Sequence, residues 1–175
     1  MRGFLGAIPL FLPGLIVAFV VGLATAPRVA RFMRTSPAVA FLLIVNVGAI
    51  LAATVTPDAD ALLDGVASVG GCDLTRIGLP PFEELVRIDD TSLNVVLFIP
   101  LGLAIGLLPA TRRSAYVAAF AVLLTFIVEG IQAFLPMLGR SCETADLVDN
   151  SLGLALGFGV AVSIRLVAGR MERGV

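Results

Sequence analysis

Apolar positions in this chain come in long unbroken runs rather than in helical stripes. Five runs are long enough, or nearly so, to cross a hydrocarbon core that takes about 20 helical residues: 4–25, 38–55, 92–108, 115–135 and 147–168. The first starts like the apolar region of a signal peptide but continues past the usual length, so it reads as a retained span, kinked or softened by Pro9 and Pro13. The pattern predicts an all-α polytopic bundle of about five spans, forming a single membrane domain over 1–175. The polar stretch 56–91 is too long for a plain connector. Within it, "PPFEELVRIDD" predicts a short amphipathic helix lying on the membrane surface. Pro81 suits its first turn, Glu83 and Glu84 suit its N-terminal dipole, and Phe82, Leu85 and Val86 share a face.

Composition agrees with a lipid solvent. The chain is 58% hydrophobic and 14% charged, with a mean hydropathy of +1.03, whereas a soluble domain carries roughly a quarter charged residues. The charges are also sorted. Arg28, Arg31 and Arg34 separate the first two spans, Arg112 and Arg113 separate the third and fourth, and Arg165, Arg170 and Arg173 end the fifth. The opposite side holds only Arg2, Arg76, Arg87 and Arg140. The positive-inside bias therefore predicts an N-terminus outside, a C-terminus inside and an extracytoplasmic loop at 56–91. The acidic residues of that loop, among them Asp58, Asp60, Asp64 and Asp73, read as a solvated surface. Cys72 and Cys142 fall on the same, oxidising side, so a disulfide between them is expected.

Polar residues inside the last three spans gather at one level. Glu129 and Gln132 are three apart on one face of the fourth span, with Thr125 a turn earlier. Asn94 opens the third span, and Asp146 and Asn150 lie a turn apart at the start of the fifth, just after Arg140. With alternating directions, all of these fall in the outer half of the membrane. Charge at bilayer depth costs at least ~2.5 kcal/mol and is commonly functional. Together Asn94, Glu129, Gln132, Arg140, Asp146 and Asn150 are the candidate ligand-binding set. Asp149 lies about 100° off the face of Asp146 and Asn150. Gly102 with Gly106, and Gly153 with Gly157, are small-xxx-small pairs that bring the third and fifth spans close, and Pro100 frees a backbone carbonyl between them.

These residues resemble the VanZ-like family. The resemblance is carried by "NVVLFIPLG" (Asn94, Phe98, Pro100, Gly102), "TFIVEGIQ" (Glu129, Gln132) and "RSCETADLVDNSLG" (Arg140, Asp146, Asn150, Gly153), in the family's order and spacing. It covers about 94–157, within a core of about 92–168. Thr125 stands where the family commonly has Ser, and Cys142 where a larger apolar residue is usual. The resemblance implies a bacterial multi-pass protein of the cytoplasmic membrane. Founding members are associated with low-level resistance to the lipoglycopeptide teicoplanin, and no established reaction comes with the family.

Chemistry narrows the options. All twelve basic residues are Arg, and His is absent. That excludes a His base, a Ser-His-Asp triad, a HExxH site, a Walker A loop and a Ser-Lys dyad. Two Cys without His partners make no zinc site. No metal, cofactor or nucleic-acid partner is expected. The leading expectation is an accessory protein of the cell envelope. Its polar pocket would take the head group of a lipid or lipid-linked precursor, or a lipoglycopeptide. Arg140 would hold an acidic group, and the lipid tail would lie between the third and fifth spans. An alternative is an enzyme on such a lipid, with Glu129 as general acid or base and Asp146 as its ionised partner. A second alternative makes the polar residues interhelical glue, including a Glu129–Arg140 pair. A transporter fits least, because polarity stops in the outer half of the bilayer.

Overall fold

A computed structural model describes residues 7–68 and 71–171, with the backbone alone at Arg170 and Met171. Positions 4–6 of the first expected span, together with Arg2 and Arg173, lie outside the described residues. The elements in chain order are α1 (Phe11–Met33), α2 (Pro37–Thr54), α3 (Ala59–Asp64), β1 (Cys72–Asp73), α4 (Phe82–Leu85), α5 (Asp90–Gly106), α6 (Arg112–Phe134), a 3-10 turn (Pro136–Leu138), β2 (Cys142–Glu143) and α7 (Thr144–Met171). Among the described residues four helices are long and apolar enough to cross a membrane: α1, α2, α6 and α7. The third expected span, α5, has 17 residues and is shorter. At 1.5 Å per residue it covers about 25 Å.

Caps fix where the helices begin. The Ser36 side chain accepts the N–H of Val39, with Pro37 in the first turn of α2. Asp89 and Ser92 form a reciprocal capping box at α5, and Thr111 caps α6 through the N–H of Ser114. These caps lie two to four residues ahead of where the apolar runs become obvious. The first span departs further from expectation. Its helix runs on to Met33 because Ala26, Ala30 and Met33 bury against α2, while Arg28 and Arg31 fold back onto the carbonyls of Ala24 and Pro27. The expected softening falls at Pro9: Ala7 is helical, 8–10 form a turn and the helix restarts at Phe11, whereas Pro13 lies in its first turn, where no intrahelical N–H bond is due. The amphipathic helix expected around Phe82 is a single turn, ending at Leu85.

Two helix pairs are built on glycine. A Cβ on Gly14 would run into Ala52, and one on Gly48 into Ala18, so α1 and α2 pack antiparallel. A Cβ on Gly153 would overlap the carbonyl of Val95. One on Gly157 would overlap that of Ile99, and one on Gly102 that of Leu154. Rising numbers on α5 meet rising numbers on α7, so those two helices are parallel neighbours and α6 returns the chain between them. Phe98, Ile50, Leu101, Leu124 and Val128 fill the core between α2, α5 and α6.

The two ends of the bundle differ in chemistry. One gathers Arg34, Arg112 and Arg113. Arg113 donates to the Phe32 carbonyl and its guanidinium lies 4.2 Å from the Phe32 ring centroid, and Arg165 donates to the carbonyls of Gly106 and Leu108 at 3.2 and 2.6 Å. The other end carries the segments 56–91 and 135–144, stitched together by the disulfide Cys72–Cys142 and the two-residue parallel pairing of β1 with β2. Thr144 adds bonds to the carbonyls of Asp73 and Arg76 at 3.2 and 2.9 Å. The disulfide spans 70 residues. The chain-entropy account gives about 4 kcal/mol for such a loop, an upper bound where intervening helices are already held by a bilayer.

The glycine contacts predict a position-specific pattern. Gly157→Ala should lower the melting temperature of the detergent-purified protein, by the ~1–3 kcal/mol typical of overpacking or more. Gly159→Ala, where a Cβ meets nothing within 4 Å, should leave it unchanged or raise it. Equal effects at the two positions would refute the α5–α7 register.

Candidate functional site

A cavity of about 480 Å³ opens at the disulfide-bearing end of the bundle. Four separate stretches of chain build it beside the end of α2. Asn94 comes from the first turn-and-a-half of α5, Glu129 and Gln132 from the last turns of α6, Arg140 from the loop after the 3-10 turn, and Asp146 and Asn150 from the start of α7. All six residues singled out by the sequence therefore line one cavity. Thr54, Asp58, Asp90, Ser141 and Glu143 complete its polar wall.

Each polar side chain is held for a local reason. Glu129 is buried, and its Oε2 accepts the N–H of Glu143 at 2.9 Å, which ties α6 to β2. Gln132 is also buried and donates from Nε2 to the carbonyl of Thr54 at 3.1 Å, which ties α6 to α2. That donation fixes which end of the amide is which, and Oε1 is left without a partner. Asn150 is 1% exposed, and its Oδ1 likewise has none. Asn94 faces the Asp146 carboxyl. Gly139 adopts a left-handed φ of 71° with the Asp58 carboxylate where a Cβ would stand, so only glycine lets Asp58 cap α3 and reach the cavity here.

Arg140 is half-buried and donates from Nε to the carbonyl of Thr56 at 3.4 Å. The Glu129–Arg140 ion pair considered from sequence is not found among the described residues; Glu129 Oε2 accepts the Glu143 N–H and Arg140 Nε turns to the Thr56 carbonyl. Burial draws the Arg140 guanidinium below its ordinary pKa, while Asp58, Asp90 and Asp146 work against that shift. Thr125, a turn before Glu129, is fully buried and bonds back to the Val122 carbonyl at 2.8 Å.

One feature escaped the sequence reading. Asp149 is completely buried outside the cavity and pairs with Arg76, Nη2 to Oδ2 at 2.5 Å. Arg76 also donates to the Gly78 carbonyl and to Thr91. Its pKa is raised, first by the bond to Asp149. Two signals were available in the sequence. Asp149 is rotated off the polar face of α7, and a buried acid there needs one of the few arginines at this end. Nothing in the 73-residue separation says which.

The packing residues divide. Gly102, Gly106, Gly153 and Gly157 sit in the α5–α7 contact, whereas Pro100 is exposed on the far side of α5. Because the two backbones touch, no lipid tail lies between α5 and α7. An apolar cleft of about 300 Å³ lies instead where α6 meets that pair, lined by Ile105, Ala118, Val122, Leu154, Ala155 and Phe158 among others. Among the described residues no group of three His, Cys, Asp or Glu side chains is placed to hold a metal ion. The cavity is thus a mixed-charge wall of five carboxyl groups, one guanidinium and three amides, suited to binding through hydrogen bonds and ion pairs.

A family model described as VanZ/LLP1 matches residues 14–166. The chain belongs to that family. No curated protein and no solved structure matches it at a significant level. The match takes in α1 and α2 as well as the three helices that carry the sequence motifs.

Removing one member of a buried ion pair commonly costs ~3–5 kcal/mol. Arg76 keeps 26% of its side chain exposed, so Arg76→Ala should fall at or below the lower end of that range. Adding Asp149→Asn to it should recover much of the loss. Thermal melts of the two single variants and the double variant measure the coupling, and additive losses would show that the pair does not matter to stability.

Proposed function

We propose that this VanZ/LLP1 family protein is an accessory protein of the bacterial cytoplasmic membrane whose cavity takes the head group of a lipid or lipid-linked envelope precursor. The observation that carries this reading is the convergence of six polar residues from three helices and a loop on one cavity, just where the apolar parts of the helices end. Arg140 supplies a half-buried guanidinium with no carboxylate in an ion pair with it among the described residues, ready for an acidic group. Gln132 and Asn150 line the same cavity, and each has a buried side-chain oxygen without a hydrogen-bond partner.

The cavity faces the outside in this proposal. Two features support that orientation. The arginines concentrate at the opposite end, as the positive-inside bias requires of a cytoplasmic face. The Cys72–Cys142 disulfide lies at the cavity end, and disulfides persist in oxidising compartments. The apolar cleft against α6 gives the tail of such a ligand a place at bilayer depth. A protein of this kind would alter how lipid-tailed antibiotics such as teicoplanin meet the envelope.

Expression in a teicoplanin-susceptible bacterium tests the reading, with Glu129→Gln and Arg140→Ala beside the natural chain at matched membrane levels. The natural chain should raise the inhibitory concentration of teicoplanin and leave that of vancomycin, which lacks the tail, unchanged. Arg140→Ala should lose the protection and Glu129→Gln should lose part of it. Protection that survives both substitutions would remove the cavity from the function. Protection abolished by Glu129→Gln while ligand is still bound would move the reading to catalysis.

A further inference from the structure

We propose that the head group taken by this cavity bears a primary ammonium beside its acidic group, as an aminophospholipid does; this rests on the reading of the cavity as a head-group site. The first ground is charge. Asp58, Asp90, Glu129, Glu143 and Asp146 line the cavity against Arg140 alone. A purely anionic head would gain one guanidinium and meet five carboxyl groups. A zwitterionic head places its acidic group on Arg140 and its positive group among the acids.

The second ground is hydrogen bonding, and it is independent of charge. Gln132 Oε1 and Asn150 Oδ1 are buried acceptors with no partner, and both residues line the cavity. The Gln132 amide is not free to turn over, because its Nε2 is engaged by the Thr54 carbonyl. Such oxygens call for donors. A primary ammonium brings three donors and a positive charge in one group. A quaternary ammonium brings the charge without donors, and a glycerol head brings donors without the charge. A bare metal ion fits less well, since the acids do not gather into a three-ligand group among the described residues. The cavity therefore reads both properties at once.

The test uses the full chain purified in detergent. Lysolipids of one acyl chain and three head groups are compared by ligand-induced thermal shift: phosphoethanolamine, phosphocholine and phosphoglycerol. Free phosphoethanolamine is a fourth arm, to separate a lipid source of the ammonium from a soluble one. The ethanolamine lysolipid should bind at least ~10-fold more tightly than either of the others. Free phosphoethanolamine binding as tightly as its lysolipid would keep the ammonium and drop the tail. Glu129→Gln with Asp146→Asn should shrink the preference for the ethanolamine lysolipid over the glycerol one. Should that variant fail to fold, the four-ligand comparison on the natural chain still decides. Equal or stronger binding of the glycerol lysolipid would overturn the ammonium and leave the head-group reading standing. No binding above detergent in any arm would overturn both.

Discussion

The parallel contact between α5 and α7 is the constraint on which the polar end depends. Lipid tails are as apolar as leucine, so helices in a bilayer associate through close packing rather than through a hydrophobic drive. Glycine supplies that packing here by letting the backbones touch at Val95–Gly153 and Ile99–Gly157. The register then sets the chemistry. With Val95 beside Gly153, Asn94 comes level with the first turns of α7, where Asp146 and Asn150 sit. A slip of one residue would rotate the polar face by about 100° and scatter these groups. Parallel neighbours also require a returning helix. Its last turns deliver Glu129 and Gln132 to the same end.

The segments outside the helices complete the wall, and they are held more firmly than loops usually are. The disulfide, the β1–β2 pairing and the Thr144 bonds fasten the stretch around Cys72 to the start of α7. The Arg76–Asp149 pair adds a contact with directional preference. A buried ion pair often adds little net stability over an apolar pair of the same shape, and its better-attested use is to fix one arrangement among several. Here it selects the docking of the loop on the back of α7, out of the cavity. Arg76 is not part of the cavity lining, but it still acts through space on Asp146, which is.

Much of this was legible in the sequence because two periodicities coincide. Hydropathy gave five apolar runs, and alternation of direction then placed every intramembrane polar residue at one level. The same alternation put Cys72 and Cys142 on one side, where they bond. The features that were not legible depend on tertiary contact. The extension of α1 to Met33 is decided by burial of Ala26 and Ala30 against α2, which hydropathy does not see. Arg76 finds Asp149 across 73 residues that include the whole of α5 and α6. The close approach of α5 and α7 was readable from glycine spacing, yet its consequence, that nothing fits between them, needed the backbones themselves. Pro100 was grouped with the packing glycines for its motif, although two residues of helical rotation carry it to the opposite face from Gly102.

One face of α6 runs past both hollows. Ala118, Val122, Thr125, Glu129 and Gln132 recur at intervals of four and three and so form a single stripe. Its first two members line the apolar cleft and its last two the polar cavity. Between them Thr125 is fully buried and spends its hydroxyl on its own helix. Polarity therefore rises along the stripe in one direction and ends at the cavity floor. Phe98, Leu101, Leu124 and Val128 are packed at that depth with almost no exposure. A path for ions or solutes would need polar groups to continue through this layer. The stripe instead has the polarity profile of an amphiphile standing in a bilayer, apolar at depth and polar at the surface.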